Sequence, residues 1–121
     1  ARDVQTAHKQ WYFGKSLDGF TPIGPCIVTA DAFADYPPRL GIRSFVNGEK
    51  RQDSNTALQI FDIDHVIAEL SQGMTLKAGT IIATGTPAGV GMGMDPPQFL
   101  KPGDVVRCEI EGIGTLTNPV K

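Results

Sequence analysis

Residues 40–53, LGIRSFVNGEKRQD, decide the fold class of this 121-residue chain. Leu40 and Ile42 alternate with their neighbours, as in a strand that buries one face. Asn47-Gly48 tolerates positive φ at both positions and is a strong signal for a β-hairpin. Residues 50–53 are all polar and predict the return strand. The stretch therefore predicts an antiparallel hairpin in a strand-rich fold.

A second hairpin is predicted near the end of the chain. Residues 105–110 alternate in polarity, residues 111–114 contain two turn-forming glycines, and residues 115–117 provide the second strand. Two short apolar runs, residues 26–29 and 81–84, are rich in β-branched side chains. Such runs are typical of buried strands, and we predict both as strands of the core.

One clear helix is predicted near residues 62–72. Asp62 or Asp64 provides the N-terminal cap, and Gly73 stands at the end of the apolar stripe. Residues 1–13 are expected to begin as the end of a strand and to continue into a short helix or a turn.

The bulk composition is that of an ordinary globular domain, with 40% hydrophobic residues, 20% charged residues and a net charge of -2. This charge argues against nucleic acid as a partner, and no apolar run is long enough for a membrane span. Cys26 and Cys108 form no motif and are expected to be buried, reduced thiols of a cytoplasmic protein. Since the chain starts at Ala1 rather than Met, we expect a fragment or a processed piece.

Two glycine-rich loops are the candidate functional segments, namely GKSLDGFTPIGP at residues 14–25 and ATGTPAGVGMG at residues 83–93. We expect them to meet around a small ligand. Lys15 beside bare backbone N–H groups suits a carboxylate or an enolate oxygen, and Thr86 would be its partner on the second loop. For Lys15, a solvated surface position is the alternative.

Neither loop fits a nucleotide-binding motif. The Gly-Lys-Ser sequence that starts at Gly14 lacks the P-loop glycine five residues earlier, where Lys9 stands. The glycines of residues 89–93 have the wrong spacing for a dinucleotide site, and Pro96-Pro97 prevents the helix that would bind the pyrophosphate.

At these same loops the chain resembles the fumarylacetoacetate hydrolase family. The segments that carry the resemblance are residues 1–5, 14–20, 24–25, 46–56, 84–91, 99–104 and 111–114. The resemblance implies a β-rich α+β fold, a mixed β-sandwich roll. It also implies that residues 1–121 are part of a catalytic domain whose first half is absent from this chain.

The resemblance also implies a site. Lys15 takes a catalytic, substrate-binding position of the family, and Gln5 and Thr86 take substrate-binding positions. The family binds Mg²⁺ or Mn²⁺ through two glutamates and an aspartate. All three would lie upstream of Ala1, so that no metal ligand is expected in this chain.

The implied function is that of a divalent-metal-dependent enzyme that acts on α-keto acids or 1,3-diketo acids through an enolate. Its reaction would be acylpyruvate-type C–C bond hydrolysis, oxaloacetate decarboxylation or enol–keto isomerisation. The intact protein would be a cytoplasmic homodimer. The alternative is a catalytically incomplete β-roll fragment that acts as a binding or interaction module.

Overall fold

A four-stranded antiparallel sheet forms the centre of the molecule. The computed structural model describes residues 1–9 and 11–121. The strands are β1 (Gly41–Val46), β2 (Glu49–Asn55), β3 (Val105–Ile110) and β4 (Gly114–Pro119). Their order in the sheet is β2-β1-β3-β4, so the two predicted hairpins are confirmed and lie side by side.

The turn of the first hairpin has the predicted backbone conformation. Asn47 and Gly48 have φ angles of 52° and 85°, and positive φ at both central residues is the requirement of a type I′ turn. The Asn47 side chain also connects the hairpin to β3: its Nδ2 donates to Asp104 Oδ1 at 2.8 Å, and its Oδ1 accepts from the Val105 N–H at 2.9 Å. The turn therefore fixes the start of the neighbouring strand.

A β-bulge interrupts the pairing of β1 with β2. Phe45 pairs with Lys50, but Ser44 pairs with Gln52, so Arg51 is the extra residue of β2. A bulge bends its strand and re-aims the side chains around it. Here it brings Ser44 and Gln52 opposite each other on one face of the sheet.

Two α-helices precede the first hairpin, α1 (Arg2–His8) and α2 (Trp11–Lys15). A third, α3 (Ile63–Ser71), follows it. The helix predicted near residues 62–72 is confirmed, and its cap is Asp62, whose carboxylate accepts from the His65 N–H at 2.7 Å. The strand end expected at the start of the chain is wrong, since α1 lies there. No helix in the described ranges has the length and apolarity to cross a membrane.

The two predicted core strands are wrong. Residues 26–29 and 81–84 lie outside the sheet, and Ile27 and Ile81 are 83% and 66% exposed. Both runs are apolar and rich in β-branched residues, but in the described ranges their backbone pairs with no strand of the sheet. Both thiols, Cys26 and Cys108, are free and exposed rather than buried.

Within residues 1–9 and 11–121 no apolar side chain is buried. The accessible surface is 9412 Å² for a mass of 13.0 kDa. A compact monomer of that mass would present about 6300 Å². A large apolar surface is therefore available for contacts beyond those that this chain makes with itself.

The connection at Asp104 predicts a pH-dependent contribution to stability. Hydrogen bonds from the Asn47 side chain and the Lys101 N–H hold the pKa of Asp104 below its ordinary value of 3.8. A lowered pKa means that this contribution is complete above 3.8 and is lost as the pH falls through the lower, folded value. The Asp104→Asn variant of the intact protein should be less stable at neutral pH, and its deficit should shrink below pH 3.8.

Denaturant unfolding of both proteins across this pH range measures the difference. Asp18→Asn, at an exposed carboxylate of the first glycine loop, is the matched control. A deficit of Asp104→Asn that stays constant at all pH values would contradict the role of the carboxylate charge.

Candidate functional site

Thr86 is attached to β2 through the side chain of Gln52. Gln52 Nε2 donates to Thr86 Oγ1 at 2.8 Å and to the Pro87 carbonyl oxygen at 2.9 Å. Gln52 Oε1 accepts from the Ser44 hydroxyl at 2.8 Å across the bulged pair. Thr86 itself is exposed, so its hydroxyl is fixed to the sheet and accessible to a ligand.

The glycines that follow Thr86 allow the loop to touch backbone directly. Gly89 has a φ of 103°, and a Cβ atom placed there would collide with the Arg51 carbonyl oxygen. A Cβ atom on Gly91 would collide with the carbonyl oxygen of Gln98, whose N–H donates to the Gly91 carbonyl at 2.8 Å. Gly89 therefore allows close packing on the bulged strand, and Gly91 allows the loop to fold closely against Gln98.

The bulge residue Arg51 fixes the far end of the same loop. Its Nη1 donates to Gln98 Oε1 at 2.5 Å, and its Nη2 forms an ion pair with Glu49 at 3.3 Å. The Arg51 side chain is 18% exposed but the Glu49 side chain is 69% exposed, so solvent screens this ion pair at its carboxylate. Gln52 and Arg51, adjacent on β2, thus hold the two ends of the loop.

A cavity of about 660 Å³ lies between the sheet and the segment that follows Thr86. Ser44, Gln52, Gly89, Gln98 and Cys108 contribute to its lining. Thr86 is outside this lining, so the cavity is separate from the position at which Thr86 would meet a ligand.

The packing of α1 on α2 places Gln5 against Gly14, the residue that precedes Lys15. A Cβ atom on Gly14 would lie 2.5 Å from Gln5 Cγ, so only glycine allows the helices this approach. Gln5 is 8% exposed, and its Oε1 accepts from Arg2 Nη1 at 2.9 Å. Lys15 is the last residue of α2, at the start of the first glycine loop.

The Lys15 ammonium group lies beside an aromatic ring. Lys15 Nζ is 5.5 Å and Arg2 Cζ is 5.0 Å from the centre of the Trp11 ring, distances at which a cation interacts favourably with the ring face. Among residues 1–9 and 11–121, no carboxylate forms an ion pair with Lys15. Lys15 is therefore a positioned cation with its charge available to an anionic ligand.

The two glycine loops are anchored at opposite edges of the sheet. A Cβ atom on Gly24 would lie 3.4 Å from Leu116 Cδ1 of β4, and Cys26 Sγ lies 3.6 Å from the Ile113 carbonyl oxygen. Thr86 instead is bonded to β2. The described part of the chain has no hydrogen bond between Lys15 and Thr86, and the meeting of the two loops around a ligand stays a prediction.

The described residues do not form a complete metal site. Within the described ranges, no group of three histidine, cysteine, aspartate or glutamate side chains could hold a metal ion. A divalent cation needs several oxygen ligands that converge on one point. The described residues alone therefore do not supply the ligands of a divalent cation.

Gln52 is not among the site residues that the sequence predicts. From the sequence it is one polar residue of a polar return strand, and a two-residue turn without a bulge would place Arg51, not Gln52, opposite Ser44. The bulge exchanges the two, and nothing in residues 49–55 signals it. The polar character of the strand is the only available hint.

The family described as "Fumarylacetoacetate (FAA) hydrolase C-terminal" matches residues 1–121. The chain belongs to the fumarylacetoacetate hydrolase family, and the resemblance of its loops and hairpins is thereby confirmed. The β-rich fold expected from this resemblance is confirmed as well.

Three similar proteins illustrate the family. Oxaloacetate tautomerase YisK of Bacillus subtilis (strain 168) is 50% identical over 120 residues, which are 99% of this chain and 40% of that protein. A fumarylacetoacetate hydrolase structure from Exiguobacterium antarcticum has a TM-score of 0.94 and 55% identity, and covers 100% of this chain and 43% of its own.

The third similar protein carries a ligand. It is the maleylpyruvate hydrolase of Sphingobium sp. SYK-6, solved in complex with manganese(II) and pyruvate, with a TM-score of 0.78 and 44% identity over 89% of this chain and 38% of that one. The chain thus spans about two fifths of the length of the relatives that it matches, between 38% and 43% in these three.

The contact of the loop with the bulged strand predicts different effects for two alanine substitutions. Gly85 and Gly89 have nearly equal φ angles of 105° and 103°, but a Cβ atom on Gly85 meets nothing within 4 Å. Gly85→Ala should cost about 1–3 kcal/mol from backbone strain alone. Gly89→Ala should cost about 1–3 kcal/mol more, because it also overpacks the strand.

Denaturant unfolding of the intact protein measures both changes, and Gly85→Ala is the matched control for Gly89→Ala. Equal losses of stability would mean that the loop shifts away from Arg51 without penalty, contrary to the close packing described above.

Proposed function

We propose that this chain contributes half of the catalytic domain of an enzyme that acts on α-keto acids or 1,3-diketo acids through an enolate. The observation that carries the proposal is the family match over residues 1–121. The names of the relatives support the substrate class, since one is an oxaloacetate tautomerase and another a maleylpyruvate hydrolase with bound pyruvate.

Lys15 is proposed as the catalytic cation. It is positioned by Trp11 and forms no ion pair in the described part of the chain, so its charge can stabilise the negative charge that develops on an enolate oxygen. A fixed cation that needs no reorganisation during the reaction contributes more than a mobile one.

Thr86 and Gln5 are proposed as substrate-binding residues. The exposed Thr86 hydroxyl is suited to a carboxylate or enolate oxygen, because both accept hydrogen bonds. The Gln5 amide oxygen is occupied by Arg2, while its nitrogen has no hydrogen bond to any other described residue and is available as a donor. The arrangement requires both loops to reach the same ligand in the intact protein.

Mg²⁺ or Mn²⁺ is proposed as the cofactor. The manganese ion in the maleylpyruvate hydrolase structure supports a divalent metal. Because no described cluster of this chain suits a metal ion, the ligands are proposed to lie outside residues 1–121.

The proposed outcome of the reaction is enol–keto isomerisation or acylpyruvate-type C–C bond hydrolysis, with oxaloacetate decarboxylation as the third candidate. The first follows the tautomerase among the relatives and the second follows the maleylpyruvate hydrolase. All three would pass through a stabilised enolate, so Lys15 and Thr86 have the same roles in each.

The intact protein is proposed to be a cytoplasmic homodimer. The exposed apolar surface supports an association, since single exposed side chains are common but a total area of 9412 Å² is large for 13.0 kDa. Two free cysteines agree with a reducing compartment. The same surface also suits the alternative function, a module that binds another chain and performs no chemistry.

Replacement of Lys15 tests the catalytic proposal. In the intact protein, Lys15→Ala should lower kcat for oxaloacetate or an acylpyruvate by about a hundredfold or more, because the cation that stabilises the enolate is lost. Steady-state kinetics with Mg²⁺ or Mn²⁺ measure the change. Lys77→Ala, at an exposed lysine in a turn, is the matched control and should be unaffected.

Turnover that persists in Lys15→Ala would contradict the role of this residue. Calorimetry of the intact wild-type protein with oxalate, an enolate mimic, separates the two candidate functions. Oxalate binding that depends on Mg²⁺ supports the enzyme, and its absence favours the binding module.

A further inference from the structure

The orientation of the Gln52 amide follows from the chemistry of its three partners. The Pro87 carbonyl oxygen can only accept a hydrogen bond, so the atom of Gln52 that lies 2.9 Å from it must be the nitrogen. The amide oxygen then faces Ser44 Oγ at 2.8 Å, and Ser44 must be the donor. No other assignment of the amide satisfies both partners.

This orientation determines the role of the Thr86 hydroxyl. The second N–H of the Gln52 amide points to Thr86 Oγ1 at 2.8 Å, so the Thr86 oxygen accepts this hydrogen bond. The hydroxyl hydrogen of Thr86 is therefore not used by Gln52. No further hydrogen bond of Thr86 Oγ1 occurs in the described part of the chain, and the residue is exposed, so this hydrogen is available to an external acceptor.

We propose that Gln52 is a positioning residue that makes Thr86 an obligatory hydrogen-bond donor to an anionic oxygen of the substrate. The proposal rests on the substrate-binding role proposed for Thr86. Ser44 orients Gln52, Gln52 orients Thr86, and the Thr86 O–H points to the carboxylate or enolate. A threonine without this constraint could rotate its hydroxyl and present a lone pair to the same oxygen, which would repel it.

The rigidity of the arrangement comes from the sheet. Ser44 and Gln52 are directly opposite on β1 and β2, and the close approach of Gly89 to Arg51 holds the loop against the strand. The strands β1 and β2 and the second glycine loop thus constrain the side chains of Ser44, Gln52 and Thr86. Positioning groups of this kind act by keeping a donor in the geometry that the ligand needs.

A similar amide–hydroxyl pair, formed by Gln59 with Thr84 of the same glycine loop, provides the control. Gln59 Nε2 donates to Thr84 Oγ1 at 3.1 Å. Both residues are exposed, and the Gln59 amide makes no hydrogen bond to a backbone carbonyl or to a second strand in the described ranges. Thr84 has no proposed role at the ligand, so a change at Gln59 should leave ligand binding unaffected.

The experiment is a double-mutant cycle on the intact protein, read as the Kd of oxalate at saturating Mg²⁺ by calorimetry. Gln52→Glu keeps the shape of the side chain but replaces its nitrogen by an acceptor oxygen, so the Thr86 hydroxyl would donate to the carboxylate instead of the ligand. Its Kd for oxalate should rise about tenfold, the value of one hydrogen bond to a charged group.

Thr86→Val should raise the Kd of oxalate by a similar factor. Thr86→Ser retains the hydroxyl and should retain affinity, and Gln59→Glu should bind as the wild type does. Gln52→Glu also adds a negative charge near the anionic ligand, so the double-mutant cycle uses Gln52→Ala. Alone, Gln52→Ala should raise the Kd less than Gln52→Glu does, because the hydroxyl is then free rather than captured, and it should have no further effect in the Thr86→Val background.

Two results would overturn the proposal while the enzymatic function stands, provided that wild-type protein turns over keto acids. One is multiplication of the Gln52→Ala and Thr86→Val effects, which would mean that Gln52 acts independently of Thr86. The other is wild-type affinity for oxalate in Gln52→Glu or in Thr86→Val. If wild-type protein neither binds oxalate nor turns over keto acids, both this proposal and the proposed function are overturned.

Discussion

The large surface that this chain leaves uncovered determines which interactions can order it. No described apolar side chain is buried, so the hydrophobic effect within the chain contributes less than in a compact domain of this size. Order comes instead from backbone pairing in the sheet, from side-chain hydrogen bonds and from close backbone contacts. Asn47 ties the first hairpin to β3, and Gln52 ties the second glycine loop to β2. Polar side chains at turns and bulges therefore determine where the loops lie.

The elements predicted correctly from the sequence are those whose signals are local. Asn47-Gly48 specifies its own turn, because both residues tolerate positive φ. Asp62 caps the helix that follows it by accepting a hydrogen bond from the N–H group three residues later. The runs at residues 26–29 and 81–84 suggest strands because they are apolar and β-branched. That composition favours burial. A strand also needs a neighbouring strand edge to pair with its backbone, and a short apolar run contains no information about such an edge.

In the candidate site, too, the residues of local motifs are predicted and the contacts that depend on the folded hairpin are not. Lys15, Gln5 and Thr86 are reached through the resemblance to a family, because each lies within a recognisable motif. Gln52 also lies in a segment of the resemblance, residues 46–56, but its role is not predicted, since its position opposite Ser44 depends on the bulge at Arg51. A change of register by one residue exchanges the faces of a strand. Which residue of β2 donates a hydrogen bond to Thr86 is therefore determined by the folded hairpin and not by its amino-acid pattern.

The direct backbone contact of Gly89 with β2 has a consequence for protein engineering. A library aimed at new substrates gains little from this loop, because side chains are excluded at Gly89 and Gly91 and an insertion between Thr86 and Gln98 would break the contacts at one end or the other. The segment after Lys15 is different. In the described ranges no backbone hydrogen bond joins residues 16–23 to the sheet, and Gly19, whose φ of 77° disfavours a side chain, is the position to keep unchanged. Diversity introduced there would lie beside Lys15 without disturbing the scaffold, which makes this segment the natural target for directed evolution.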